Sequence, residues 1–196
     1  MIEYLESIDR WIVLSVNGWN NSFLDAFFWF IAQRLTWIPL YLLIAYFAWK
    51  KLPRNQFIIF TLVTILTVAA ANLASVHLFK NVFLRYRPSH HAALTERLHF
   101  YLKSNGEFYK GGMYGFVSSH ATNFFALAAF VSFSLNSYYP KMKWFLYSIA
   151  VIVSFSRLYQ GVHYTSDLLC GAILGVFISL IIYRFVYLKL INKIRE

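Results

Sequence analysis

Five long apolar runs, at about residues 35–49, 55–79, 119–139, 144–160 and 167–188, alternate with short polar connections. No feature limits the fold more. A hydrocarbon layer roughly 30 Å thick requires about 20 residues per helical crossing, and every backbone N–H and C=O inside it must be bonded within the segment. With 59% of 196 residues hydrophobic and 13% charged, the chain is too apolar for a water-soluble domain of this length. The expected architecture is an all-α, polytopic membrane bundle of five or six transmembrane helices forming a single domain over residues 1–196. Pro53 and Pro140 fall in connections, where helices stop.

The N-terminal segment reads differently. Ile2, Leu5, Ile8, Trp11 and Ile12 recur at helical spacing against Glu3, Glu6, Asp9 and Arg10, which predicts an amphipathic helix lying on the membrane surface within residues 1–20. Asn17, Gly18, Asn20 and Asn21 break it. Phe23 to Ile31 then either leads into the first span or forms a short helix of its own. The acidic start lacks the basic, then apolar, pattern of a cleaved leader, so the first span is expected to be an uncleaved anchor. The six tryptophans fall in the N-terminal segment or near span ends and suit an interfacial belt. Gly171 and Gly175 have the spacing of close helix packing within the monomer. The single cysteine, Cys170, excludes a disulfide framework and reads as a packing residue.

Basic residues set the orientation. Lys50, Lys51 and Arg54 flank one connection, Lys141 and Lys143 another, and Arg184, Lys189, Lys193 and Arg195 crowd the C-terminus. The positive-inside rule makes these regions cytoplasmic and puts the 80–118 loop and the 157–166 turn on the opposite, external face. The net charge of +10 is dispersed between apolar spans and forms no basic stripe with interleaved aromatics, which argues against nucleic acid and for anionic lipid as the partner. No obligate protein partner is implied.

Three blocks hold most of the polar residues that solvation does not explain: Lys80 to Pro88 (KNVFLRYRP), Ser118 to His120 (SSH) and Ser156 to Asp167 (SRLYQGVHYTSD). Lys80, Arg87 and Arg157 offer the cationic donors that a phosphate monoester or diphosphate needs. His163 and Asp167, at i and i+4, share one face if the turn into the last span is already helical, and the carboxylate can then hold one imidazole nitrogen and leave the other unprotonated as a nucleophile. Asp167 lies in an apolar region where an acid without a partner or function is costly. His120 stands at the start of a helix, where N–H groups favour an anion. His90, His91 and His99 have no Cys or carboxylate at ligand spacing and are assigned to a solvated loop, and His77 to a helix interface. Neither a metal nor another cofactor is expected.

The order K-x6-R-P, S-x-H, S-R-x5-H-x3-D resembles the type 2 phosphatidic acid phosphatase family, which includes bacterial lipid phosphatases and the soluble vanadium haloperoxidases. Two positions depart from it: Val117 and Ser119 stand where the family usually has proline and glycine. The resemblance implies that Lys80, Arg87, Ser118, Arg157 and the backbone N–H of Ser119 hold the phosphoryl oxygens. It also implies that His163 attacks phosphorus, oriented by Asp167, and that His120 protonates the leaving group. The implied activity is hydrolysis of a lipid phosphate through a phosphohistidine, in a bacterial inner membrane with the site facing the periplasm or exterior. Undecaprenyl diphosphate, phosphatidylglycerol phosphate, phosphatidic acid and lipid A phosphate are all compatible substrates. A vanadate-dependent haloperoxidase and a non-enzymatic anionic-lipid binding or transport protein are the alternatives. Soluble relatives disfavour the first, and the His163–Asp167 pair disfavours the second.

Overall fold

The computed structural model describes residues 2–194, all-helical but for loops and two isolated bridges, Tyr86 to Tyr114 and Leu102 to Phe108. Arg195, counted above among the C-terminal cations, lies outside the described residues, as does the side chain of Ile2. The helices are α1 (Ile2–Asn17), α2 (Ser22–Ala32), α3 (Ile38–Lys51), α4 (Arg54–Ala74) and the short α5 (Asn81–Phe83), then α6 (Ser119–Leu135), α7 (Met142–Tyr159), α8 (Thr165–Ile182) and α9 (Leu188–Lys193). A π segment, Ser75–Lys80, joins α4 to α5, and another, Tyr183–Tyr187, joins α8 to α9.

Among the described residues, Arg54–Phe83 and Thr165–Lys193 are each long and apolar enough to cross a membrane, with mean hydropathy 2.2. The segment from Phe23 resolves as a helix of its own, since α2 meets the Leu35–Lys51 stretch at 72° and the pair together makes a third candidate span. Large side chains such as Leu42, Leu62, Ile65, Ile173 and Phe177 point outward and exposed. In water such an extensive apolar surface would drive association, whereas in lipid it is the solvated face.

Helix α6 forms the centre, packed by α4, α7 and α8. Small residues let α8 come close: a Cβ on Gly171 would lie 2.8 Å from the Ser118 carbonyl, and one on Gly175 2.2 Å from that of Thr122. The expected role of this glycine pair in intramolecular packing is therefore met by the α6–α8 contact. Two apolar clusters result. One, with Phe130 edge-on to Tyr187 and stacked on Phe60, fills the bundle between α3, α4, α6, α7 and α9. The other joins Val13 and Val16 of α1 and Phe28 of α2 to Leu94, Leu98 and the ends of α7 and α8. The three polar blocks meet at this second end.

The tryptophans divide. Trp11, Trp49 and Trp144 are exposed as a belt requires, but Trp29 stacks on Tyr101 at 4.4 Å and meets Tyr109 edge-on at 5.1 Å. His99 is also no mere solvated loop residue. Its Nε2 lies 2.8 Å from an Asp25 oxygen on α2, and its backbone is bracketed by the Asn17 side chain, which also donates to the Tyr159 carbonyl. The loop between α5 and α6 is thereby tied to α1, α2 and α7.

Candidate active site

Each block reaches the site by a local device. At the end of α4 the π segment adds a residue to the turn, a feature often found at functional sites, and points Lys80 toward α6. Leu84, with φ of +48°, then adopts the left-handed region that a side chain disfavours. That reversal ends the helix and directs Arg85 and Arg87 inward. The loop returns alongside it, with Arg87 N–H bonded to the Met113 carbonyl and Gly115 N–H to that of Arg85.

The third block is shaped by a Schellman turn. Val162 N–H bonds to the Arg157 carbonyl and Gly161 N–H to that of Leu158, while Gly161 supplies the required positive φ of +65°. The chain doubles back, and His163 ends up 1% exposed. Asp167, in the first turn of α8, reaches back to accept the Tyr164 N–H at 3.0 Å.

These devices gather the predicted residues. His163 Nδ1 is 3.2 Å from Asp167 Oδ2, and its Nε2 is 2.8 Å from Arg87 Nη1. A guanidinium only donates, so Nε2 is the unprotonated nitrogen and Nδ1 carries the proton toward the carboxylate. Burial, followed by the charges of Arg87 and Arg157, holds His163 well below the ordinary imidazole range. Arg87 is itself drawn down to about 10 by burial and by Arg157, and so stays a cation. Its Nη1 also donates to the Val162 carbonyl and its Nε to the Tyr114 carbonyl.

Arg157 gives Nη1 to Gln160 and Nη2 to the Tyr109 hydroxyl. Its Nε is buried without a partner, as is Ser118 Oγ at the N-cap of α6. Buried donors without acceptors are uncommon because each forfeits its hydration. These two lie on residues to which the family resemblance gives the phosphoryl oxygens. The Ser118 N–H bonds to the Asp167 carbonyl at 3.0 Å, so the second and third blocks are joined through the main chain. His120 Nε2 faces the Ala32 carbonyl of α2 at 3.3 Å, within electrostatic reach of Arg157, Arg87, Lys80 and His163.

Ser119 has helical backbone angles as the first residue of α6, and Leu84 alone among the described non-glycine residues has positive φ. The replacement of glycine therefore demands no left-handed backbone. Its hydroxyl has its own partners: it accepts from Lys80 Nζ and pairs with Ser75 Oγ at 2.7 Å. Sequence reasoning considered only its backbone donor. It also passed over Arg85, which gives Nη1 to Asp167 Oδ1 at 2.9 Å, although this arginine sits inside the K-x6-R-P block. Gly115, in the loop before α6, packs directly on the pair: a Cβ there would meet Arg87 Cγ at 3.0 Å and Asp167 Oδ2 at 3.1 Å. His77 is exposed on the π segment, and the described residues hold no cluster of three or more potential metal ligands.

Known proteins resemble this chain in sequence and in fold. A family model described as the PAP2 superfamily matches residues 56–191. The lipid A 4'-phosphatase of Porphyromonas gingivalis is 33% identical over 188 residues, covering 95% of this chain and 76% of that protein. That of Bacteroides thetaiotaomicron is 31% identical over 196 residues, covering 100% and 84%. Among solved structures, the PAP2 type phosphatidylglycerolphosphate phosphatase of Bacillus subtilis superimposes with a TM-score of 0.67 at 21% identity, covering 93% of this chain and 86% of that one, a likeness of fold.

Proposed function

The chain belongs to the PAP2 superfamily and is a membrane lipid phosphatase, and from that premise we propose that it removes a phosphate from the sugar of a lipid A-type glycolipid through a phosphohistidine on His163. One observation carries the chemistry: the lone pair of His163 Nε2 is held by Arg87, while Asp167 holds Nδ1–H. An arriving phosphoryl group takes over the Arg87 donors, and the freed nitrogen lies beside phosphorus. Nε2 forms the P–N bond as the P–O bond to the lipid breaks, and His120 gives the departing oxygen its proton. Water then cleaves the phosphohistidine. Lys80, Arg87, Arg157, Ser118 Oγ and the Ser119 N–H neutralise the five-coordinate transition state.

The choice of a glycolipid rests on the two relatives and on Trp29, Tyr101 and Tyr109. These rings form a wall beside Arg157, suited to the C–H face of a pyranose. Cationic connections at 50–54 and 141–143 support five crossings, by α3, α4, α6, α7 and α8, with the site at the periplasmic face of the inner membrane.

Phosphate release by purified protein tests the reading. The expected order is lipid A phosphate ahead of phosphatidic acid, phosphatidylglycerol phosphate and undecaprenyl diphosphate, insensitive to chelator and inhibited by vanadate. His163→Ala should abolish turnover of every substrate. His120→Ala should lose about 10²–10⁴-fold on the lipid but keep much of its activity on p-nitrophenyl phosphate, whose leaving group needs little protonation. Equal defects of both variants on both substrates would refute the assigned roles, and preference for a glycerophospholipid would refute the substrate.

A further inference from the structure

Asp9 lies outside the residues matched by the family model, on the amphipathic helix α1, yet it is 7% exposed. With Val13, Val16 and Asn17 it forms the inward face of that helix, while Tyr4, Leu5 and Trp11 on the outer side are 58–69% exposed. Asp9 Oδ1 accepts the Ser166 N–H at 3.0 Å. Its Oδ2 accepts Arg85 Nη2 at 3.0 Å and, by a short contact, the Ser166 hydroxyl. Arg85 Nη1 continues to Asp167 Oδ1 at 2.9 Å and to Ser166 Oγ at 2.7 Å, with the guanidinium 4.3 Å over the Tyr164 ring.

One planar guanidinium thus bridges two carboxylates, and its fixed fork sets the plane of Asp167. Asp167 Oδ2 in turn holds His163. Arg85 alone would not suffice. Its side chain is 27% exposed, and close to a bound phosphate a free arginine would turn to the phosphoryl oxygens. The Asp9 charge keeps it on Asp167.

We propose that Asp9 is a positioning residue for the catalytic pair, acting through Arg85 and Ser166 on Asp167, so that the membrane-surface helix completes the active site. The proposal rests on the reading that His163 and Asp167 perform the chemistry. Asp9 bonds to Arg85 and Ser166 and acts through them, so its loss should change turnover and not binding.

The test uses the full-length protein, with kcat and KM for p-nitrophenyl phosphate, inhibition by vanadate and thermal unfolding measured side by side. Asp9→Asn keeps an acceptor for the Ser166 N–H but removes the charge. It should lower kcat about tenfold while KM and vanadate inhibition stay within about twofold. Arg85→Gln should lose at least as much, and the double variant no more than Arg85→Gln alone, because both act on one relay. Unchanged kcat in Asp9→Asn, a parallel rise in KM and vanadate constant, or losses that multiply would each overturn the proposal. The underlying reading fails separately: it falls if His163→Ala turns over normally, whereas an inactive His163→Ala beside a normal Asp9→Asn removes this proposal alone.

Discussion

Gly115→Ala adds one methyl group against the His163–Asp167 pair. Gly115 has no positive φ, so the backbone accepts alanine and only space opposes it. The new Cβ would lie 3.0 Å from Arg87 Cγ, 3.1 Å from Asp167 Oδ2 and 3.5 Å from His163 Nδ1, and the first two must give by a few tenths of an ångström. Asp167 has little freedom to yield, being held by Arg85, by the Tyr164 N–H and by its place in α8. Its bond to His163, at 3.2 Å the longest of the carboxylate contacts, takes the strain. A hydrogen bond to a charged group is worth about 1.5–3 kcal/mol, and each 1.4 kcal/mol is about tenfold in rate. We therefore expect kcat on p-nitrophenyl phosphate to fall about 10- to 100-fold in a variant that remains folded by thermal unfolding in detergent. A kcat within about twofold of the unaltered protein would show either that the His163–Asp167 bond does not govern turnover or that the loop yields freely.

Two further outcomes follow from the same geometry. Because the Ser119 hydroxyl engages Lys80 and Ser75, Ser119→Gly and Ser119→Ala should both raise KM, by about 2- to 10-fold for one lost hydrogen bond. Unchanged KM in both would return Ser119 to a backbone role. His163 is held neutral in the fold by burial and by Arg87 and Arg157, so below about pH 6.5 the unfolded chain takes up a proton that the native state refuses. Stability should fall as pH drops from there toward the folded-state value, and His163→Gln should flatten that fall in thermal unfolding scans; an identical slope in both proteins would contradict the buried neutral imidazole.

Some of the site is legible because its parts are neighbours in the chain. His163 and Asp167 are only four residues apart, and although α8 starts at Thr165 and leaves His163 outside the helix, the turn at Gly161 brings the imidazole back to the carboxylate. The apolar runs are equally local, since the bilayer imposes their length whatever packs beside them. Their tertiary use is another matter. The polar face of α1 reads the same whether water or a distant arginine meets it, so Asp9 was one acid among several until α1 packed on α7 and α8. Arg85 in a basic loop, Gly115 among four loop glycines and Trp29 in an apolar helix were similarly indistinct, and Ser119 was legible only as a departure from glycine.

What the amino-acid order determines by itself is which residues can bear charge, which segments must be helical in lipid, and which pairs share a helix face. These follow from side-chain chemistry and from a period of 3.6 residues. The fold alone decides that Arg85 spans Asp9 and Asp167, that the Ser119 hydroxyl holds Lys80, and that Gly115 leaves room for Arg87. Each of those contacts joins residues far apart in the chain or separated by an irregular loop, and a hydrogen bond depends on tenths of an ångström that only the packing of the helices against one another sets.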